Sequence, residues 1–140
     1  MTRDKVVEVA RSWIGTPFHD NCGVKGIGSD CAHFLSKVFE ESGLSEELQI
    51  EYYSPQFFLH TKEEKFASYV LQYAKEIDES VVGVGDIVLY RFGHSFAHGA
   101  IIIDWPRSII HAHKLTGCVI ETGGFDADLQ GRKTRFFSIW

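Results

Sequence analysis

Cysteine is scarce in this 140-residue chain: Cys22, Cys31 and Cys118 are all there is. So small and odd a count builds no disulfide framework and leaves at least one thiol free. Basic charge is in deficit as well. The 14 Lys and Arg stand against 19 Asp and Glu, a net charge of −5, too weak a balance to assemble a face that holds nucleic acid. Long apolar runs are missing, and stretches such as Ala100–Ile103 fall far short of the ~20 residues of a membrane-spanning helix. The opening M-T-R-D-K-V-V-E has no apolar core of the kind a secretory leader carries. The expectation is therefore synthesis in the cytoplasm without a signal peptide and delivery by another route. Internal repeats, low-complexity tracts and C-x-x-C pairs of the zinc-anchoring kind are absent too.

What is present describes one globular domain, residues 1–140, with 44% hydrophobic and 14% aromatic residues and length enough to bury a core. Lys5–Ile14 carries Val6, Val9, Ala10, Trp13 and Ile14 at helical spacing, and Gly15-Thr16-Pro17 stops it. A glycine-rich loop leads to a second helical pattern from Asp30 to about Ser42, ended by Gly43. Leu44–Thr61 reads as irregular and aromatic, and helical spacing returns over Lys62–Ala74. From Gly83 the period changes to two. Strands are expected at Asp86–Arg91, over H-G-A-I-I-I-D, over S-I-I-H-A-H-K, and at Gly117–Glu121 and Thr134–Ile139. Helices first and an antiparallel sheet of about five strands afterwards is an α+β arrangement, with the helices on one face of the sheet.

The chemistry gathers around Gly28-Ser29-Asp30-Cys31-Ala32-His33. Ser29 or Asp30 can cap the helix, which places Cys31 in its first turn. Free backbone N–H groups and the positive dipole end there favour a thiolate, and the same groups can hold the oxyanion formed when sulfur attacks a carbonyl. His33, two residues on, points roughly 200° around the helix and away from the thiol.

His98 opens one strand, and His111 and His113 share a face of the returning strand. If the hairpin turns about Asp104-Trp105, His98 lies opposite His111; if it turns about Trp105-Pro106, opposite His113. Cys31, His98 and His111 or His113 can thus form nucleophile, base and orienting group. His19, His60 and His94 fall in loops, Cys118 in a strand. Cys22 reads as a loop thiol or a redox partner of Cys31. The aromatic run Tyr52–Phe58 is a candidate groove lining.

Taken together, G-T-P-F, D-C-A-H-F at a helix head, G-D-I-V-L-Y, H-G-A-I-I-I and I-I-H-A resemble the NlpC-type cysteine endopeptidases of bacterial cell walls. The matching blocks run from about Trp13 to Ala112 and leave Leu44–Val82 as an insert. The resemblance implies a papain-like core with Cys31 as nucleophile, His98 as base and His111 as orienting residue. It implies hydrolysis of peptidoglycan stem peptides at the γ-D-glutamyl bond to a diamino acid, with neither cofactor nor metal. Asp30, Phe18 and His113 are the expected substrate contacts. Phe18 stands where the family commonly has tyrosine, and Ala32-His33 replaces a common Ser-Gly. The missing leader and the closing R-K-T-R-F-F-S-I-W are similar to the branch carried by phages and gene-transfer particles, which implies a phage tail or secretion apparatus as partner.

Other readings of the same residues are a papain-like amidase or acyltransferase on another substrate, such as an antibacterial toxin, and a non-catalytic phage structural or binding module. A zinc site from Cys31, His94, His98 and His111 is a further alternative.

Overall fold

The computed structural model describes residues 1–44, 50 and 64–140. Helix α1 spans Arg3–Ser12, begun by the Thr2 side chain accepting from the Lys5 N–H at 3.1 Å. Its apolar stripe buries Val6, Val9 and Ala10. The helix stops before Ile14, so this residue, expected on the buried face, is exposed instead. At Gly15 the chain turns with φ +93°, and its N–H donates to Val119 O at 2.9 Å. Strands β1 (Gly23–Val24) and β2 (Gly28–Ser29) fold the glycine loop into a small ribbon. Helix α2, Cys31–Glu41, then buries Phe34, Leu35, Val38 and Phe39.

The third helical pattern is shorter than its spacing implied. Helix α3 covers Lys65–Val70, with Phe66, Ala67 and Val70 buried. Tyr73 lies beyond its end and packs on Phe39, ring centroids 5.6 Å apart. The start expected at Lys62, the aromatic run Tyr52–Phe58 and His60 lie outside the described residues.

Among the described residues six strands make the main sheet, in the order β3-β8-β4-β5-β6-β7 and antiparallel throughout: β3 (Lys75–Ile77), β4 (Ile87–Phe92), β5 (Ser95–Asp104), β6 (Ser108–His113), β7 (Cys118–Thr122) and β8 (Thr134–Ser138). About five were expected. The extra one is β3, an edge strand of three residues too short to show a period. It is held to β8 by backbone pairing and by the Glu76–Arg135 ion pair at 2.7 Å.

Alternation along the strands builds two cores. Ile87, Leu89, Ile101, Ile110, Ala112 and Phe137 face the helices. Val88, Tyr90, Ala100, Ile102, Ile109 and Phe136 face the other way, covered by Leu129 and Trp105. Both faces of the central strands are buried, which is why β4 and β5 read as continuous apolar runs. The same alternation sends His98, His111 and His113 to the face away from the helices.

Candidate active site

Asp30 is the N-cap of α2, extended at φ −95° and ψ 179°. Its Oδ1 accepts the His33 backbone N–H and meets His33 Nδ1, both at 2.8 Å, while Oδ2 accepts the Asn21 N–H at 2.7 Å. Buried to 1% exposure, the carboxylate staples the loop to the helix. His33 is accordingly turned to the cap.

Cys31 follows, in the first turn and 8% exposed. Its thiol donates to the carbonyl of Ala97 at 3.7 Å. The backbone N–H groups of Gly99, Cys31 and Ala32 point at the sulfur and favour the thiolate. Burial outweighs them and pushes the thiol pKa far above its ordinary value, and the neighbouring Asp30 carboxylate adds to the rise. This corrects the expectation of a thiolate stabilised by the helix terminus. Of the two forms, the neutral thiol is the one this burial favours.

The hairpin register decides between the two turns. Ile101 pairs with Ile110 and Ile102 with Ile109, so the turn is centred on Trp105-Pro106 and puts His98 level with His113. Paired residues of β5 and β6 end at Ile101–Ile110, however. The His98 ring reaches diagonally instead, its Nε2 2.8 Å from His111 Nδ1, with the rings edge-on at 75°. His111 Nε2 meets Thr122 Oγ1 at 2.9 Å. His113 has both nitrogens occupied elsewhere, by Thr116 Oγ1 and Asp128 Oδ1, each at 2.7 Å. Burial first, then the neighbouring imidazoles, hold the His98 pKa well below the usual value. Burial likewise lowers His111 to about 4, against an opposing pull from Asp128 and Asp126. Both rings are neutral at pH 7.

Thiol and imidazole approach the same strand from opposite sides. Cys31 belongs to the helix-side core, while the His98 ring packs near Tyr90 and Phe92 on the other face, at 6.0 and 5.8 Å. They meet at the backbone of Ala97–Gly99. The thiol hydrogen bond goes to the residue preceding His98 and not to the ring.

No protein-family model and no curated protein matches the chain. Solved structures do. The NlpC/p60 domain of the peptidoglycan hydrolase SagA superposes with a TM-score of 0.69 at 16% identity, covering 96% of this chain and 97% of that one. The P60 domain of antigen MAP1204 from M. avium subspecies paratuberculosis gives 0.64 at 17% identity, over 98% and 93% of the two chains. RipD from Mycobacterium tuberculosis, a non-catalytic NlpC/p60 domain protein adapted to peptidoglycan binding, gives 0.64 at 13% identity over 99% and 97%. The chain has the NlpC/p60 fold.

Within the NlpC/p60 fold Phe18 packs against the helix-side core to which Cys31 belongs, and its backbone bridges Ser29, two residues before the thiol. Phe18 is half-buried, its N–H donating to Gly117 O at 2.8 Å and the Lys114 ammonium lying 6.0 Å from its ring centroid. His19 and His94 are exposed. Cys22 and Cys118 are free, half-buried thiols, so Cys118 is less enclosed than a core residue. Among the described residues no group of three or more His, Cys, Asp or Glu is placed to hold a metal. None of their helices is long and apolar enough to cross a membrane. A groove of about 510 Å³ beside Leu44, Tyr73 and Trp140 shares no residue with the thiol–histidine cluster.

Sequence reasoning missed Thr122 and Asp128. Thr122 is paired with Ile109, two positions from His111 along one face of β6. Its place follows only once the β6–β7 register is known. Asp128 sits in the short 3-10 turn Ala127–Leu129, where no motif marks it.

Proposed function

We propose that this chain is a cysteine peptidase that hydrolyses amide bonds in peptidoglycan stem peptides, cutting the γ-D-glutamyl bond to a diamino acid through a thioester. The carrying observation is the 2.8 Å bond between His98 and His111 at the strand segment that receives the Cys31 thiol. Likeness to the SagA hydrolase domain supports the substrate class. The whole chain acts as one catalytic domain, within which residues 44–82 are an insert in sequence between the matching blocks.

The resting pair is neutral, so the reaction begins by general base catalysis and not from a preformed ion pair. A shift of the thiol from the Ala97 carbonyl toward His98 lets the imidazole take the proton as sulfur attacks the amide carbon. The backbone N–H groups of Cys31 and Ala32, already aimed at the sulfur, receive the oxyanion. His98 returns the proton to the departing amine. Water, deprotonated by His98, then cleaves the thioester to a carboxylate and restores the thiol. His111 holds the His98 ring throughout. Asp30, Phe18 and His113 are the residues assigned to the substrate side. Asp30 and His113 would have to release a bond made in the resting structure. Action at the bacterial wall, with delivery by a phage tail or secretion apparatus, belongs to this reading on the strength of the sequence resemblance.

A second reading, peptidoglycan binding without cleavage, is favoured by the raised thiol pKa and by the likeness to RipD. Digestion of defined muropeptides, with products read by mass, separates the two. Expected is a single cut releasing the diamino acid's amine, unaffected by a chelator and lost after iodoacetamide. Retention of intact muropeptide on the protein, with no new mass, supports binding alone.

A further inference from the structure

The hydrogen bonds beyond His111 carry directional information. Among the described residues Thr122 Oγ1 has two polar neighbours, Gly123 O at 3.1 Å and His111 Nε2 at 2.9 Å. A hydroxyl has one proton, and a carbonyl oxygen only accepts. The Thr122 proton is therefore given to Gly123 O, and His111 Nε2 must arrive as the donor. A neutral imidazole carries one N–H. His111 Nδ1 is then a lone pair, and the 2.8 Å contact to His98 is made by the N–H on His98 Nε2. With its single hydrogen spent there, His98 keeps a lone pair on Nδ1. That nitrogen makes no hydrogen bond among the described residues. It is the atom a base needs.

We propose that Thr122 is a positioning residue that fixes the tautomers of His111 and His98 in series, so that His98 presents an unprotonated Nδ1 for the Cys31 proton. Without the Thr122–Gly123 bond the opposite chain is equally well made: the hydroxyl gives its proton to His111 Nε2, and His111 Nδ1–H donates to His98 Nε2. His98 then carries its hydrogen on Nδ1 and accepts nothing. His113 does not compete for this choice, because Thr116 and Asp128 occupy both its nitrogens. The backbone carbonyl of Gly123 sets the polarity, and it cannot reverse.

The consequence for catalysis rests on the peptidase reading; the tautomers do not, and they are measured without substrate. In protein carrying ¹⁵N-histidine, long-range ¹H–¹⁵N correlation at neutral pH reports which nitrogen of each ring is protonated. Expected in the wild type is Nε2–H on both His98 and His111. Thr122→Val, which keeps the branched shape and removes the hydroxyl, leaves mixed tautomers, and Thr122→Ser restores the wild-type pattern. On muropeptide, kcat falls roughly tenfold or more in Thr122→Val with KM held within about twofold, and recovers in Thr122→Ser. Nδ1–H on wild-type His98, or unchanged tautomers in Thr122→Val, overturns the inference. A wild type that shows the assigned tautomers and cleaves nothing supports it while overturning the peptidase reading.

Discussion

At Cys31 two influences on a thiol oppose each other. Helix position favours the anion, through N–H groups that point at the sulfur; enclosure in a core disfavours it, and enclosure prevails. The sequence shows the first influence, because a cap followed by a helical period is local. Enclosure is a product of the fold, which brings the Ala97 carbonyl to the thiol from 66 residues away, and no local pattern reports it. Alkylation by iodoacetamide follows the thiolate. For Cys31 it is expected to be slower at pH 7 than for half-buried Cys22 and Cys118, and to rise about tenfold per pH unit through pH 9. Asp30→Asn keeps a capping oxygen and removes the charge that raises the thiol pKa, so Cys31 should react faster in that variant. Peptide mapping of the alkylated protein checks both, and a rate for Cys31 that is flat near neutral pH would show a thiolate already present.

Strand β5 is the element on which the site depends, since it carries Ala97 and Gly99 toward the thiol and His98 toward His111. Gly99 also closes the packing: a Cβ there would stand 2.9 Å from Leu89 Cδ2 and Phe66 Cζ and 3.0 Å from Leu35 Cδ1. Gly99→Ala is expected to cost about 1–3 kcal/mol by overpacking and to displace the strand from Cys31. Urea unfolding measures the loss, and an unchanged midpoint would contradict this packing. The hairpin of β5 and β6 was legible because His98 on one side and His111 and His113 on the other sit in apolar runs around a tight D-W-P-R link. Its register alone does not pick the partner of His98. The register centre favours His113, and the ring chooses His111 by reaching diagonally where pairing has stopped. Thr122 was hidden for a related reason: its contact crosses a second hairpin.

Over the whole molecule, helices before sheet made the α+β class readable, and the change of period near Gly83 marked the boundary. Edge strand β3 and the second core, which rests on Leu129 and Trp105 from irregular segments, have no periodic signature. That second core buries His98 and His111 as neutral rings, which ties stability to pH. In the unfolded chain histidine takes a proton near pH 6.5; in the fold both rings resist it, His111 down to about 4. Unfolded chains therefore bind more protons below about pH 6.5, and stability falls as pH drops from there toward pH 4. Each ring contributes up to ~1.4 kcal/mol per pH unit in its window. Urea midpoints should decline between pH 7 and pH 5, and equal midpoints would contradict the burial of neutral imidazoles.

The most direct trial is a side-by-side digest of one defined muropeptide by the wild type, Cys31→Ala and His98→Ala, with masses read over time. Wild-type protein should release the two halves of the stem peptide, and both variants should leave it whole while unfolding as cooperatively as the parent. Cleavage persisting in folded Cys31→Ala, or none in the wild type, would contradict the assignment of that sulfur as the nucleophile.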